Sequence, residues 1–255
     1  MDFLEKAKAG MKQALSKRDR LLTHIVGSID DNNKAANLLF ERLSEWYGVY
    51  FPELRLEDQK KFCQLVLEFD RDNPDFGVLV KYVGKDKAKF LESRAKTSMG
   101  VSLNPEDLEA LREAAKTILS LYELRDALER YQEMLIKETC PNVAYVAEPA
   151  LAAKLVAKAG SIEKLARMPA STVQVLGAEK ALFKHLKKGS KPPKHGLIFQ
   201  HSTISMAPKK QRGRIARALS TKIAIAAKAD AYTGNFIAEK LKADFQKRFD
   251  AIRGA

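Results

Sequence analysis

The sequence predicts an all-α protein: a long antiparallel coiled coil with inserted short helices, followed by a compact helical domain. Three observations carry this. Apolar residues return at three- and four-residue steps through residues 3–29 and 105–139, the spacing of helices packed along a seam. No glycine or proline interrupts residues 106–139. No stretch is strand-rich, and no repeat of 20–50 residues recurs.

The elements follow in order. In residues 3–29 the seam holds Leu4, Ala7, Met11, Ala14, Leu21 and Ile25, with Arg18 as its polar member. Asp30 to Asn33 offers capping side chains before a second helix, Lys34–Tyr47, with Leu38, Leu39, Leu43 and Trp46 as its apolar positions. The segment FPEL (51–54) reads as a turn. A helix over 57–70 is expected to bury Phe62, Leu65, Val66 and Phe69 and to stop before Asn73-Pro74. Short helices fill 74–97. Asn104 is a good N-cap, Pro105 suits the first helical position, and Glu106 and Asp107 complement the dipole. The helix that follows has one stripe of Leu108, Leu111, Ala115 and Ile118 and another of Leu121, Leu124, Leu128, Tyr131 and Leu135. The three-residue step from 118 to 121 reads as a stammer. Such a helix spans about 50 Å and needs a long partner, for which residues 3–29 are the candidate; an internal helix of a bulky bundle is the alternative. Cys140-Pro141 ends it. Beyond lie shorter helices, among them Ile162–Arg167, Ser171–Lys188, Lys209–Ala229 and Thr233–Arg253.

Composition narrows the function. With 255 residues, 30% charged and 45% hydrophobic, the chain can bury a core and is not mostly disordered. No apolar run reaches the roughly 18–20 residues of a spanning helix, and MDFLEKAKAGMKQAL lacks the apolar region of a secretory signal. Cys63 and Cys140 form neither CxxC nor a Cys/His cluster, so they read as ordinary intracellular thiols, with no zinc site or disulfide. A cytosolic protein is expected, or a nuclear one in a eukaryote.

The net charge of +13 is unevenly placed. Residues 140–255 hold 22 Lys or Arg against 7 Asp or Glu, a balance of +15, which leaves −2 for the rest. A basic half beside a near-neutral one suggests a polyanion-binding module joined to a structural one, and nucleic acid is the commonest polyanion. A membrane surface is not expected, because the basic half lacks large apolar anchors on a basic amphipathic helix.

The cations concentrate between Gly177 and Lys228, where Glu179 is the only acid. Lys180, Lys184, Lys187 and Lys188 share one helical face, and Val175, Leu182, Phe183 and Leu186 are expected to turn to the core. Lys191 and Lys194 follow, then Lys209, Lys210, Arg212, Arg214, Arg217, Lys222 and Lys228. Rows of cations suit backbone phosphates; a merely solvated basic face is the alternative. Between the clusters runs GSKPPKHGLIFQHS (189–202), whose glycines and paired prolines make a stiff turn with Lys194 and His195 at its end. An imidazole beside a lysine can stack on an unpaired base, or be a plain surface or core histidine. The loop is not GxxxxGK[ST], and His185 and His201 have no metal spacing. No catalytic constellation, cofactor loop or metal site is found, and a non-catalytic protein is expected.

At these residues the sequence resembles the Nop family, the helical core proteins of box C/D ribonucleoproteins and their spliceosomal relative. The resemblance runs through SIEKLARMPASTVQVLGAEKALFKHL (161–186), PPKHGLIFQH (192–201) and RGRIARALSTKIAIAAKAD (212–230), with EWYGVYFPEL (45–54) similar to the family's central region. It implies a coiled-coil and central helical domain over 1–139 and a Nop RNA-binding domain over 140–255. It implies kink-turn, box C/D-type guide RNA bound together with a ribosomal-protein-like kink-turn-binding protein, in support of RNA-guided 2′-O-methylation. It places at RNA Arg167 and Ala170 of RMPA, and Gly177, Ala178, Glu179 and Lys180 of GAEK. His195 and Lys228, already singled out by charge and position, join them. In archaeal members the coiled coil makes a homodimer, and a separate N-terminal domain binds the fibrillarin methyltransferase.

The sequence departs from the family in three places. It begins almost inside the first coiled-coil helix, so fibrillarin recruitment is not expected of these residues, which read as a fragment or a short paralogue. NVAYVAEPALAAKL (142–155) has alanines and Lys154 where the family tends to glycine-rich GxxxGARL. The lysine-rich C-terminal tail of eukaryotic members is missing, which points to an archaeal, cytoplasmic protein; a eukaryotic one would be nucleolar or nuclear. The other readings are a Nop-domain adaptor in another ribonucleoprotein, as in pre-mRNA processing, or a basic adaptor for an acidic protein.

Overall fold

The computed structural model describes residues 4, 5, 7, 8, 11 and 17–254. Among them every regular element is helical, and no helix is long and apolar enough to cross a membrane. Packing divides the chain into two compact units, Ile29–Ala127 and Met1–Ser28 with Leu128–Ala255.

The unit Ile29–Ala127 begins within α1, Leu21–Tyr50, and continues through α2 (Gln59–Glu68), α3 (Phe76–Val83), α4 (Lys85–Ala95) and the first part of α5 (Pro105–Thr139). The expected break at Asp30–Asn33 is absent, and α1 runs through it. The polar side chains find partners that leave the helix intact: Lys34 pairs with Asp31 one turn away, and Asn32 donates Nδ2–H to the Leu121 carbonyl at 2.7 Å. The buried line of α1 runs through Ile29, Asn32, Ala36, Leu43, Tyr47 and Tyr50, so of the four apolar positions expected only Leu43 is inside; Leu38, Leu39 and Trp46 are exposed. Arg112 lies within electrostatic range of Tyr47 while Leu121 meets Asn32, so α1 and α5 run antiparallel here. The partner of α5 in this unit is therefore residues 29–50, not 3–29.

Local chemistry sets the other boundaries. Asp58 caps α2 by accepting from Lys61 N–H at 3.1 Å, and Asp75 caps α3 by accepting from Gly77 N–H at 2.7 Å. The FPEL turn buries Phe51 and Leu54. Buried Arg71 pins it, donating to the Tyr50 carbonyl and Ser102 while its guanidinium lies 4.5 Å from the centre of the Tyr50 ring. Phe62, Leu65, Val66 and Phe69 enter the core as expected.

In α5 the buried residues are Leu111, Ala115, Ile118, Tyr122, Gln132, Leu135 and Ile136, while Leu124 and Tyr131 are exposed. Tyr122 takes the place expected of Leu121, four residues after Ile118, so the helix turns on without the stammer. A tyrosine can hold this core position because its hydroxyl donates to Gln59 Oε1 at 2.6 Å.

In the unit Met1–Ser28 with Leu128–Ala255, no single helix covers 3–29. Leu4, Ala7 and Met11 are helical but exposed, Ala14 lies outside the described residues, and Lys17 is extended before a short 3-10 turn at Arg18–Arg20. The charged run KRDR is held by the later half of the chain: Lys17 pairs with Glu163, Arg18 with Glu138, and the buried Asp19 carboxylate accepts from Ile162 N–H at 2.8 Å.

After Cys140 come α6 (Pro141–Ala147), α7 (Pro149–Ala159), α8 (Ile162–Arg167), α9 (Ala170–Val175), α10 (Glu179–Lys188), α11 (Ser202–Ser205), α12 (Arg212–Lys228) and α13 (Ala238–Arg253). The helix expected over Ser171–Lys188 is two, α9 and α10, because Gly177 takes φ +88° between them. The one expected from Thr233 starts at Ala238, since a π turn (Ala229–Thr233) and Gly234 extend the end of α12. The centre of the unit is α12, whose buried Ala216, Ala224, Ala226 and Ala227 let neighbours approach beside Ile215, Leu219 and Ile223. Helices α6, α8, α9 and α13 pack round it. Asp230 fastens this arrangement: its carboxylate accepts from Asn142 N–H at 3.0 Å, Asn142 Nδ2–H at 2.7 Å and Val143 N–H at 2.9 Å, capping α6. Asn142 in turn accepts from Ile237 N–H at 2.7 Å, just before α13. Cys63 and Cys140 are fully buried, and burial pushes both thiols up to about 12, so neither is a reactive thiolate.

Candidate nucleic-acid interface

The KPPKHG loop is built on the end of α9. Gly196 N–H donates to the Gln174 carbonyl at 2.9 Å and Leu197 N–H to the Leu176 carbonyl at 2.8 Å, while Gln174 Nε2–H donates to the Lys194 carbonyl at 2.7 Å. Only glycine fits at 196, where a Cβ would stand 2.1 Å from the Leu176 carbonyl oxygen. At Gly177 the left-handed backbone and a Cβ position 2.5 Å from Leu197 Cγ both demand glycine. The GAEK turn and the loop therefore interlock.

His195 is half-buried and stacks on Phe199, with ring centres 4.6 Å apart and planes 15° from parallel. The Arg212 guanidinium lies 5.2 Å from the centre of the same Phe199 ring, held there by hydrogen bonds to the Ala207 and Ser205 carbonyls. Burial, and then the charges of Arg212 and Lys194, hold the His195 pKa below its ordinary value of 6.5, so the imidazole is neutral at pH 7 and presents a flat aromatic surface rather than a cation.

The single acid of the basic stretch is satisfied internally. Glu179 accepts from Gly177 N–H at 2.8 Å and pairs with Lys158 at 3.3 Å. Burial pushes its carboxyl up, but the Gly177 N–H bond and Lys158 together bring the pKa below the usual value. Its charge is thus tied to the turn.

Of the expected site residues, Lys191, Lys194, Arg214 and Arg217 come together in one open cleft of about 800 Å³. Lys210 and Arg248 join them there, with Pro192, Pro193 and Ile252 among the lining side chains and no carboxylate. The other residues lie elsewhere. Arg167 is exposed at the end of α8 and Ala170 opens α9. Lys180, Lys184, Lys187 and Lys188 are exposed on α10. Lys228 is exposed at the far end of α12 from Arg214, about 21 Å along the axis. Helix α10 itself differs from expectation: it buries no residue, and Phe183 and Leu186 are 60% and 70% exposed. The glycine at 177 redirects the chain, so the face meant for the core stays outside.

The profile of the family described as "Nop: snoRNA binding domain, fibrillarin" matches residues 28–251. The chain belongs to the Nop family. Among the relatives of this Nop-family chain, an uncharacterised NOP5 family protein of Methanocaldococcus jannaschii is 43% identical over 252 residues, covering 98% of the chain and 61% of that protein. Nucleolar protein 58 of Scheffersomyces stipitis is 33% identical, with 96% of the chain and 49% of that protein covered. In Aspergillus fumigatus the protein of the same name is 35% identical, over 88% and 39%. The Nop-family chain thus spans between about two-fifths and three-fifths of these relatives. A solved structure titled as a fibrillarin/Nop5p complex superposes with a TM-score of 0.60 at 26% identity, covering 97% of the chain and 74% of the solved one.

Sequence reasoning missed Arg248 and the place of Arg212. Arg248 lies 31 residues beyond Arg217 on another helix, and nothing in the spacing announces that α12 and α13 share a cleft. The aromatic Phe199, four residues from His195, was the available signal for Arg212.

Proposed function

We propose that residues 140–255 bind kink-turn RNA of the box C/D type jointly with a ribosomal-protein-like kink-turn-binding protein, as a non-catalytic part of an RNA-guided 2′-O-methylation complex. Residues 1–139 set spacing and pair two copies through the coiled coil. The observation that carries the reading is the acid-free cleft: five cations named from the sequence, Lys191, Lys194, Lys210, Arg214 and Arg217, converge in it, in a chain whose family is a snoRNA-binding one. Cations supply phosphate affinity, while the neutral His195–Phe199 stack and the GAEK turn supply shape and base selectivity. No group of three His, Cys, Asp or Glu among the described residues is placed to hold a metal.

Fibrillarin belongs among the proposed partners, against the expectation from the start of the sequence. A solved structure similar to this chain is titled as a fibrillarin/Nop5p complex, and a chain spanning three-fifths of an archaeal relative says nothing of what the rest of a full-length protein recruits. The proposed setting is the cytoplasm in an archaeon and the nucleolus in a eukaryote.

The test is a gel shift with a kink-turn RNA, with and without the kink-turn-binding protein. The expected result is a supershifted ternary complex and far weaker binding to RNA alone. Equal affinity for an unstructured RNA of the same length, unaffected by the second protein, would leave plain polyanion binding in its place.

A further inference from the structure

The cleft holds more positive charge than its own fold accounts for. Lys191 and Lys194 come from the loop, Lys210 from the turn before α12, Arg214 and Arg217 from α12, and Arg248 from α13. Among the described residues none of the six has an ion pair, although the same two helices make one nearby. Asp244 stands one turn before Arg248 on α13, where it could have formed a pair along the helix; its carboxylate instead meets Lys222 of α12 at 3.0 Å. The α12–α13 seam is therefore neutralised at Lys222 and left cationic at Arg217 and Arg248. Like charges gathered without an acid raise the energy of the free protein, and a bound polyanion relieves it.

The walls are also held in place before any ligand arrives. Two prolines stiffen the loop, and the Gln174–Lys194 and Gly196–Gln174 hydrogen bonds fix its C-terminal end to α9, so less conformational freedom is lost on binding. Three of the six cations are arginines, whose planar fork matches two phosphate oxygens at once. The stacked His195 is not among the residues lining the cleft.

We propose that this cleft is a phosphate channel for the RNA backbone, apart from the His195 stack, and that Arg248 of the C-terminal helix is one of its phosphate contacts. This rests on the RNA-binding reading above and adds to it a second track and a helix that charge clustering along the sequence does not reach. Loss of one phosphate contact flattens the slope of log K against log salt by about 0.7–0.9, and so weakens binding by about four- to six-fold at 0.15 M salt.

The experiment measures binding of a box C/D guide RNA, held by the kink-turn-binding protein, across a salt series. The unmodified chain is compared with Arg248→Gln, Arg248→Lys and, as a control for net charge, Lys89→Gln on α4, where the lysine is exposed. Expected are the weakening and the flatter slope for Arg248→Gln, return of the slope but not the full affinity for Arg248→Lys, and no change for Lys89→Gln. If the unmodified chain binds and Arg248→Gln keeps its affinity and slope, or Lys89→Gln loses as much, the channel is refuted while RNA binding stands. If the unmodified chain forms no complex, both fall.

Discussion

Replacing Asp230 by alanine should destabilise the unit built on α12. The change strips the partner from two backbone N–H groups at the start of α6, those of Asn142 and Val143, both on fully buried residues. A buried donor left without a partner costs roughly 1–3 kcal/mol. The Asn142 amide loses one acceptor but keeps the Asn235 carbonyl at 2.9 Å. Against this, removing a partly buried carboxyl returns some of its desolvation cost, so we expect a net loss of about 2–4 kcal/mol, near or above the upper end for an N-cap. For a chain of this length that corresponds to roughly 4–16 °C in Tm. The assay is urea unfolding followed by far-ultraviolet circular dichroism and by thermal melting, with Asp230→Asn, which keeps one acceptor oxygen, falling between. Burial outweighs the bonds from Val143 and Asn142 and holds the Asp230 pKa above its ordinary value. The fold thus holds this proton more tightly than the unfolded chain does. The titration-linked advantage over Asp230→Asn is fully present below pH about 4 and is lost as pH rises through the folded value. Unfolding midpoints for Asp230→Ala equal to those of the unmodified chain would show that the capping bonds carry no stability.

Gly196→Ala places its Cβ 2.1 Å from the Leu176 carbonyl oxygen and 2.7 Å from Val175 backbone atoms. The loop must shift, at a cost of about 1–3 kcal/mol in unfolding experiments, and the ternary RNA complex weakens with it; an unchanged gel shift would detach the loop from binding. For His195, a pKa held down by burial means stability that is fully present above pH about 6.5 and lost as pH falls through the lower folded value. The stability difference between the unmodified chain and His195→Gln should therefore shrink from pH 7.5 to pH 5. A difference constant over that range would refute the assignment.

Much of the fold was legible because seams repeat. The boundaries of α5, the place of α2 within the expected 57–70 and the span of α8 follow from caps, prolines and three-and-four spacing that act locally. What was not legible needed distant partners. Asp30–Asn33 looks like a cap until Asn32 finds the Leu121 carbonyl across the seam. Leu38 and Trp46 look like core until Tyr47 and Tyr50 occupy the inner line. At the site, Arg214 and Arg217 lie three residues apart, which puts them on one side of a helix, and the structure brings both into the cleft, whereas Arg248 required knowing which helix lies beside α12. Apolar side chains such as Phe183 and Leu186 usually turn inward, and here the left-handed backbone at Gly177 leaves them exposed.

That outward helix has a practical meaning. Because Lys180, Ala181, Phe183, Lys184, Leu186, Lys187 and Lys188 of α10 are exposed, replacing them removes little packing energy, and such variants should remain folded. A defect they cause in a living cell would then report on what the helix touches rather than on a damaged protein, which makes these seven positions a clean place in the chain to separate assembly from folding.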